Sequence, residues 1–147
     1  MRAVIQRVSS ASVRVDGEVV GEIDHGLLVL LGVAPEDGPA QVDWMVRKIT
    51  HLRIFADDRG RFDRSVADVQ GGVLVVSQFT LFGDCRKGRR PNFSGAARPE
   101  LAEPLWEQVC AGFEAQGLRV GRGRFAADMK VSLLNDGPVT LVLDTPA

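Results

Sequence analysis

Hydrophobic and polar positions along the chain change rhythm several times, and each change marks an element. Ala3–Val8 and Ala11–Val15 read as two strands separated by Ser9-Ser10. Asp16-Gly17 is a two-residue hairpin signal, and Glu18–Ile23 alternates as the return strand. After the turn Asp24-His25-Gly26, Leu27–Leu31 is a continuous apolar run, the mark of a strand buried on both faces. Val42, Met45, Val46 and Ile49 then fall at i, i+3, i+4 and i+7, one face of a helix. Asp37 or Gly38 caps it, Pro39 lies in its first turn, and it ends near Leu52. Arg53-Ile54-Phe55 reads as a short strand, followed by a turn at Asp57-Asp58-Arg59-Gly60. Gly71-Gly72 introduces the apolar strand Val73–Val76, which ends abruptly in the polar stretch Ser77-Gln78-Phe79-Thr80-Leu81. The Gly- and Pro-rich segment from Gly83 to Pro99 reads as a loop. A second helix over Pro99–Gln116 carries Leu101, Leu105, Val109 and Phe113 at i+4 spacing, with Gly117 as its C-terminal cap. Pro104 either kinks this helix or marks its true start. Closing strands are expected around Leu118–Val120, Lys130–Leu134 and Val139–Leu143. The order of strands, helix, strand, helix and strands predicts one α/β domain with mixed pairing over residues 1–147.

Composition narrows the function classes. The 147 residues are 45% hydrophobic and 25% charged, ordinary for a globular domain, and no apolar stretch approaches the length of a membrane span. No membrane partner is expected. The N-terminal residues enter a strand pattern with no apolar signal region. Cys85 and Cys110 are the only cysteines, and free thiols in a reducing cytoplasm are the expected state. Two His and two Cys, all far apart, make no zinc pattern. Neither a metal nor a cofactor is expected. The net charge of −1 excludes a generally basic nucleic-acid binder, so an RNA contact needs a local patch. The Gly83–Pro99 loop offers one in Arg86, Lys87, Arg89, Arg90 and Arg98; a solvated surface loop explains the same charges.

The residues point to chemistry in one place. A strand ending in Ser77, Gln78 and Thr80 presents hydroxyls, an amide and backbone N–H groups at a fixed edge, a rigid polar site or simply a self-satisfied strand end. There is no Gly-x-Ser-x-Gly elbow, no His-Glu-x-x-His and no phosphate loop. His25 and His51 are placed as structural or surface residues, and neither cysteine has a neighbouring His or metal pattern to activate it.

A second stretch, Asn135-Asp136-Gly137-Pro138-Val139-Thr140, changes the weighing. Together with Ser77-Gln78-Phe79-Thr80-Leu81 it resembles the D-aminoacyl-tRNA deacylase (D-tyrosyl-tRNA deacylase) family, marked by Ser-Gln-x-Thr-Leu and Asn-x-Gly-Pro motifs. The resemblance extends through Ala3–Val8, Gly26–Gly32, Arg90-Pro91-Asn92-Phe93-Ser94 and Gly123–Met129, nearly the whole chain. It departs from many members at Phe82-Gly83-Asp84.

The resemblance implies a compact fold with two helices against mixed, mostly antiparallel, barrel-like sheets, assembled as a homodimer. It implies an editing hydrolase acting on the 3′ end of aminoacylated tRNA, with no DNA partner. The ester is already activated and carries a vicinal hydroxyl, so the protein has to add position and oxyanion stabilisation. Ser77, Gln78, Phe79 and Thr80 are assigned to that task. Thr80 is either a nucleophile or a hydrogen-bond partner, and the absence of a base favours the latter. The resemblance also implies a cis Gly137-Pro138 bond that enters the partner subunit's site. There its carbonyls hold the substrate ammonium, and an L side chain strikes the backbone. D-aminoacyl and glycyl esters then enter and L-aminoacyl esters do not. Arg7 is implied to lie against that loop, and Phe125 and Met129 to line the pocket, although both equally suit a core. Two other readings compete: a non-catalytic RNA-binding module using the basic loop, and an esterase using Thr80 or a cysteine. The first lacks a stacking array and any Tyr.

Overall fold

One long strand carries the architecture. In the computed structural model of the protein, which describes residues 1–146, β1 runs unbroken from Arg2 to Val15. The two strands expected on either side of Ser9-Ser10 are therefore one. The reason is a partner that spans the break: β8 (Lys130–Asp144) runs antiparallel beside it from Arg2↔Asp144 to Arg14↔Lys130. On its other edge β1 pairs with two strands laid end to end. β2 (Glu18–Ile23) lies opposite Ala11–Val15, and β3 (Gly26–Gly32) lies opposite Arg2–Val8. Asp16 and Gly17 turn the hairpin at φ of 50° and 79°, the positive values a tight two-residue turn demands.

β6 (Gly72–Ser77) pairs parallel with β3, and β7 (Arg119–Arg122) pairs parallel with β6. The order is β2-β1-β3-β6-β7, with β8 on the far edge of β1. The sheet curls until β7 meets β2. A Cβ on Gly21 would sit 2.3 Å from the Arg122 carbonyl oxygen, so only glycine lets these two edges approach. The result is a sheet nearly closed into a barrel.

Strands β3 and β6 are buried on both faces, as their unbroken apolar runs predict. Leu27, Val29, Leu31, Val73 and Val75 face the helices, while Leu28, Leu74 and Val76 fill the barrel with Val8 and Val13. Helix α1 (Pro39–His51) buries Val42, Met45, Val46 and Ile49 as expected, and Leu52 is its C-cap. Helix α2 (Pro99–Ala115) crosses it closely at Gly112, where a Cβ would lie 2.8 Å from Val46. Its buried stripe is Ala102, Leu105, Trp106, Val109, Cys110 and Phe113; Leu101 is exposed, against expectation. Pro104 lies inside this helix and does not mark its start. The carbonyl it leaves without a donor is that of Glu100, on the exposed first turn, open to solvent.

The middle of the chain departs from expectation in detail. The short strand is β4 (Phe55–Ala56), shifted from Arg53–Phe55, and it pairs with β5 (Phe62–Arg64), which no periodicity announced. Arg53 instead donates to the Asp63 carboxylate and carbonyl across that hairpin. The expected strands at Lys130–Leu134 and Val139–Leu143 are both parts of β8.

Candidate functional site

The polar motif ends a strand with its first residue and then turns out of it. Ser77 is the last residue of β6, Gln78 breaks the extended backbone at ψ 78°, and Phe79–Phe82 form a single 3-10 turn. Gln78 N–H still bonds the Leu31 carbonyl at 2.8 Å, which anchors the turn to the sheet. The N–H groups of Phe79 and Thr80 open the turn and have no hydrogen-bond partner among the described residues. This follows from helix geometry, since the first donors of any helical turn lack an internal acceptor. Gln78 Nε2 donates to Thr80 Oγ1, so that oxygen is an acceptor and its own proton is left to donate elsewhere. Among the described residues no His or carboxylate bonds Thr80.

Beside this turn lies a cavity of about 570 Å³. Ser77, Gln78 and Phe79 form one wall, and Phe125–Met129 form the facing one. That second wall folds back onto the end of β6. Gly123 N–H bonds the Val75 carbonyl at 3.0 Å, Ala127 N–H bonds the Arg124 carbonyl at 3.2 Å, and Ala126 sits at φ 62°. Phe125 tilts against Trp106, with ring centres 6.1 Å apart, and Leu31, Val33 and Trp106 line the apolar depth. Phe125 and Met129 both line this cavity. Thr80 adjoins the wall through Gln78 without lining the cavity itself.

Arg7, Gly137 and Pro138 form a separate cluster. Strand β8 bulges here: Gln6 pairs with Thr140 and Val8 with Asn135, so Asp136–Val139 face the single residue Arg7. Gly137 and Pro138 project exposed from the bulge, joined by a cis peptide bond. The Arg7 side chain is 12% exposed. Its Nε donates to the Asp136 carbonyl at 3.0 Å, its Nη1 to the Ile54 carbonyl at 2.7 Å, and its guanidinium lies 5.6 Å from the Phe62 ring centre. Asn135 closes the neck of the bulge. With its amide turned so that every polar atom is paired, it donates to the carbonyls of Arg7 (3.0 Å) and Val139 (3.2 Å) and accepts from Thr140 Oγ1. The cavity and the bulge are thus separate places on the chain, and neither Gly137 nor Pro138 lines the cavity.

The basic loop rises from the same rim. An isolated bridge between Asp84 and Asn92 pins its base. Arg86 is held by Asp84, with Nε 2.9 Å and Nη2 2.7 Å from its oxygens, and the guanidinium holds the Asp84 carboxyl below its usual range. Lys87, Arg89 and Arg90 are exposed and have no ion pair among the described residues. Arg98 lies at the edge of the cavity.

None of the other nucleophile and base candidates, Cys85, Cys110, His25 and His51, lines the cavity. Burial pushes the Cys110 thiol up to about 11, so it stays protonated at neutral pH, and Cys85 is exposed in the loop. His25 packs edge-on against Phe55, and His51 ends α1. Among the described residues no group of three or more His, Cys, Asp or Glu is gathered to hold a metal. Trp106, Ala97 and Ala102 line the pocket without having been anticipated. The i+4 spacing of Ala102 and Trp106 is the available signal, on the flank of the Leu105, Val109 and Phe113 stripe.

The profile of the family described as D-Tyr-tRNA(Tyr) deacylase matches residues 4–144. A D-aminoacyl-tRNA deacylase of Opitutus terrae is 62% identical over 151 residues, covering 100% of this chain and 99% of that protein. One from Clostridioides difficile is 57% identical over 145 residues, covering 99% and 97%. A solved structure called c-Myc DNA Unwinding Element Binding Protein is similar at TM-score 0.93 and 42% identity, with full coverage of both chains. Another, described as a probable eukaryotic D-amino acid tRNA deacylase, superposes at TM-score 0.86 with 17% identity over 98% of each chain and speaks for the fold alone.

Proposed function

From the premise that this chain belongs to the D-Tyr-tRNA(Tyr) deacylase family, we propose how its cavity and its bulge act as two half-sites that edit aminoacyl-tRNA. Membership makes it a D-aminoacyl-tRNA deacylase, a hydrolase of the ester between a D-amino acid and tRNA. In our reading the terminal aminoacyl-nucleoside occupies the cavity between Ser77–Phe79 and Phe125–Met129. The ester carbonyl turns to the free N–H groups of Phe79 and Thr80, which stabilise the oxyanion as it forms. The carrying observation is that pair of unpartnered donors beside a largely apolar cavity whose one carboxylate, Asp128, is exposed and ion-paired with Lys130. Thr80, whose oxygen already accepts from Gln78, donates a hydrogen bond and does not attack. Water attacks, oriented by the vicinal hydroxyl of the RNA.

Chiral selection in this reading belongs to the exposed Gly137-Pro138 bulge of a second copy, with Arg7 holding it in shape. Its carbonyls take the ammonium, L side chains meet backbone, and D-aminoacyl and glycyl esters pass. What supports this is the outward projection of the bulge and its separation from the cavity of its own chain. The homodimer, the phosphate contacts of Lys87, Arg89 and Arg90, and a cytoplasmic site of action, where charged tRNA is found, complete the proposal. The chain works as one domain. Arg86, engaged by Asp84, contributes less to phosphate binding than its neighbours. The name of the 42% identical neighbour raises a DNA-binding reading; a net charge of −1 with one local cationic loop does not favour it.

The test is release of amino acid from D-Tyr-tRNA and L-Tyr-tRNA by wild type and Thr80→Ala. Only the D ester should turn over, and Thr80→Ala should retain rate within about tenfold, because a hydrogen-bond partner and not the nucleophile is lost. Turnover of both esters would overturn the chiral reading. Near-complete loss in Thr80→Ala would make that hydroxyl the nucleophile.

A further inference from the structure

The rim of the cavity carries an aromatic pair that the hydrolysis described above does not use. Phe79 and Phe93 stand edge to face, with ring centres 5.2 Å apart and an interplanar angle of 71°. Both line the cavity, yet they are 55% and 38% exposed, so the pair borders the cavity on one side and solvent on the other. Neither ring is free to drift. Phe79 opens the turn that Gln78 anchors to β3. Phe93 follows the Asp84–Asn92 bridge, its carbonyl accepts from Ala96 N–H at 3.0 Å, and Asn92 Oδ1 caps Ser94 N–H at 2.8 Å. Gly83 is shaped around it: a Cβ there would lie 2.9 Å from the Phe93 ring. The exposed cations Lys87, Arg89 and Arg90 lie in the loop that the Asp84–Asn92 bridge closes immediately before Phe93, and Arg98 lines the cavity.

Rigid, half-exposed aromatic faces next to unpaired cations are what a single-stranded nucleic acid needs, since bases stack on the rings while phosphates meet the charges. A cavity of about 570 Å³ takes one aminoacyl-nucleoside, and the strand must leave it across this rim. We propose that Phe93, backed by Phe79, is a positioning residue that stacks on the base of the nucleotide preceding the terminal one. It sets the angle at which the RNA enters the site. The proposal rests on the reading that the cavity takes the terminal aminoacyl-nucleoside. It adds a role for a base that the ester chemistry never touches.

The experiment is a two-by-two cycle. Wild type and Phe93→Ala are each assayed on D-aminoacyl-tRNA and on the same substrate made abasic at the penultimate position. With the intact substrate, Phe93→Ala should raise KM about 5- to 100-fold while kcat stays nearly constant. The abasic substrate should show the same rise with wild type, and Phe93→Ala should add nothing to it. Phe93→Trp, which keeps a π face, should restore most of the loss, whereas Phe93→Leu should not. Equal losses from Phe93→Ala on intact and abasic substrates, or no loss on either, would overturn the stacking role. A fall in kcat with KM unchanged would also overturn it and make Phe93 a structural prop for the Phe79 turn. Wild type failing on the intact D ester would refute the underlying site reading instead, so the two failures are distinct.

Discussion

Gly137 is the residue on which the bulge depends most directly. Its φ is 131°, a value that L side chains rarely adopt. A Cβ there would lie 2.9 Å from Arg7 Nη2, 2.9 Å from a Val139 methyl and 3.1 Å from Val139 N. Arg7 has little room to yield, because two carbonyls already hold it. Gly137→Ala should therefore cost about 1–3 kcal/mol in denaturant unfolding, through backbone strain and displacement of Arg7. Activity on D-aminoacyl-tRNA should fall with it, or chiral discrimination relax. An alanine variant of wild-type stability and selectivity would show that the bulge tolerates rearrangement. Thr80 illustrates the opposite case at the same scale. A hydroxyl with no basic neighbour is poor at attack and serviceable as a donor, which is why a modest effect is expected there.

Among the elements, the 3-10 turn and the loop after it divide the work between chemistry and grip. The turn leaves two N–H groups unpaired at a fixed place, and the loop stands beyond them on a two-residue bridge. With Arg86 neutralised by Asp84, the loop cations without an ion pair among the described residues are Lys87, Arg89 and Arg90, with Arg98 at the cavity. Replacing Arg89 and Arg90 together with Ala should weaken tRNA binding. The slope of log K against log salt should flatten by about 1.4, at roughly 0.7 per single-strand phosphate contact. An unchanged slope in a filter-binding titration would remove the loop from the RNA interface. The Arg86→Ala slope should change less than either neighbour's.

For the whole molecule the open question is what covers β8. Its fifteen residues have, among the described residues, a strand partner only on the β1 side, and Leu134 and Val142 are 62% and 63% exposed on it. A long apolar edge of this kind invites pairing with another chain. The proposed dimer would cover it and bring one copy's bulge towards the other's cavity. Leu134→Glu with Val142→Glu should yield monomers in sedimentation, and those monomers should lose activity while keeping their circular dichroism. Fully active monomers would show that the cavity needs no second copy.

The sequence alone determined the elements whose cause is local. The α1 stripe, the Asp16-Gly17 hairpin and the doubly buried β3 and β6 all follow from spacing and turn chemistry that act within a few residues. Its ordered motifs also carried the family and the pocket residues Ser77, Gln78, Phe79, Phe125 and Met129. The tertiary structure decided what depends on partners distant in the chain. Ser9-Ser10 stays extended because β8 lies alongside, and β5 exists because β4 needs a partner. Ser77-Gln78-Phe79-Thr80 turns out of its strand, which alone frees the donors of Phe79 and Thr80. The α2 stripe keeps the expected Leu105, Val109 and Phe113 and widens to Ala102, Trp106 and Cys110, because α1 and the sheet fix the helix's rotation and i+4 spacing does not set the width of the buried face. The separation of the Gly137-Pro138 bulge from the cavity was likewise beyond local pattern, since it arises from the pairing of β1 with β8 across nearly the full length of the chain.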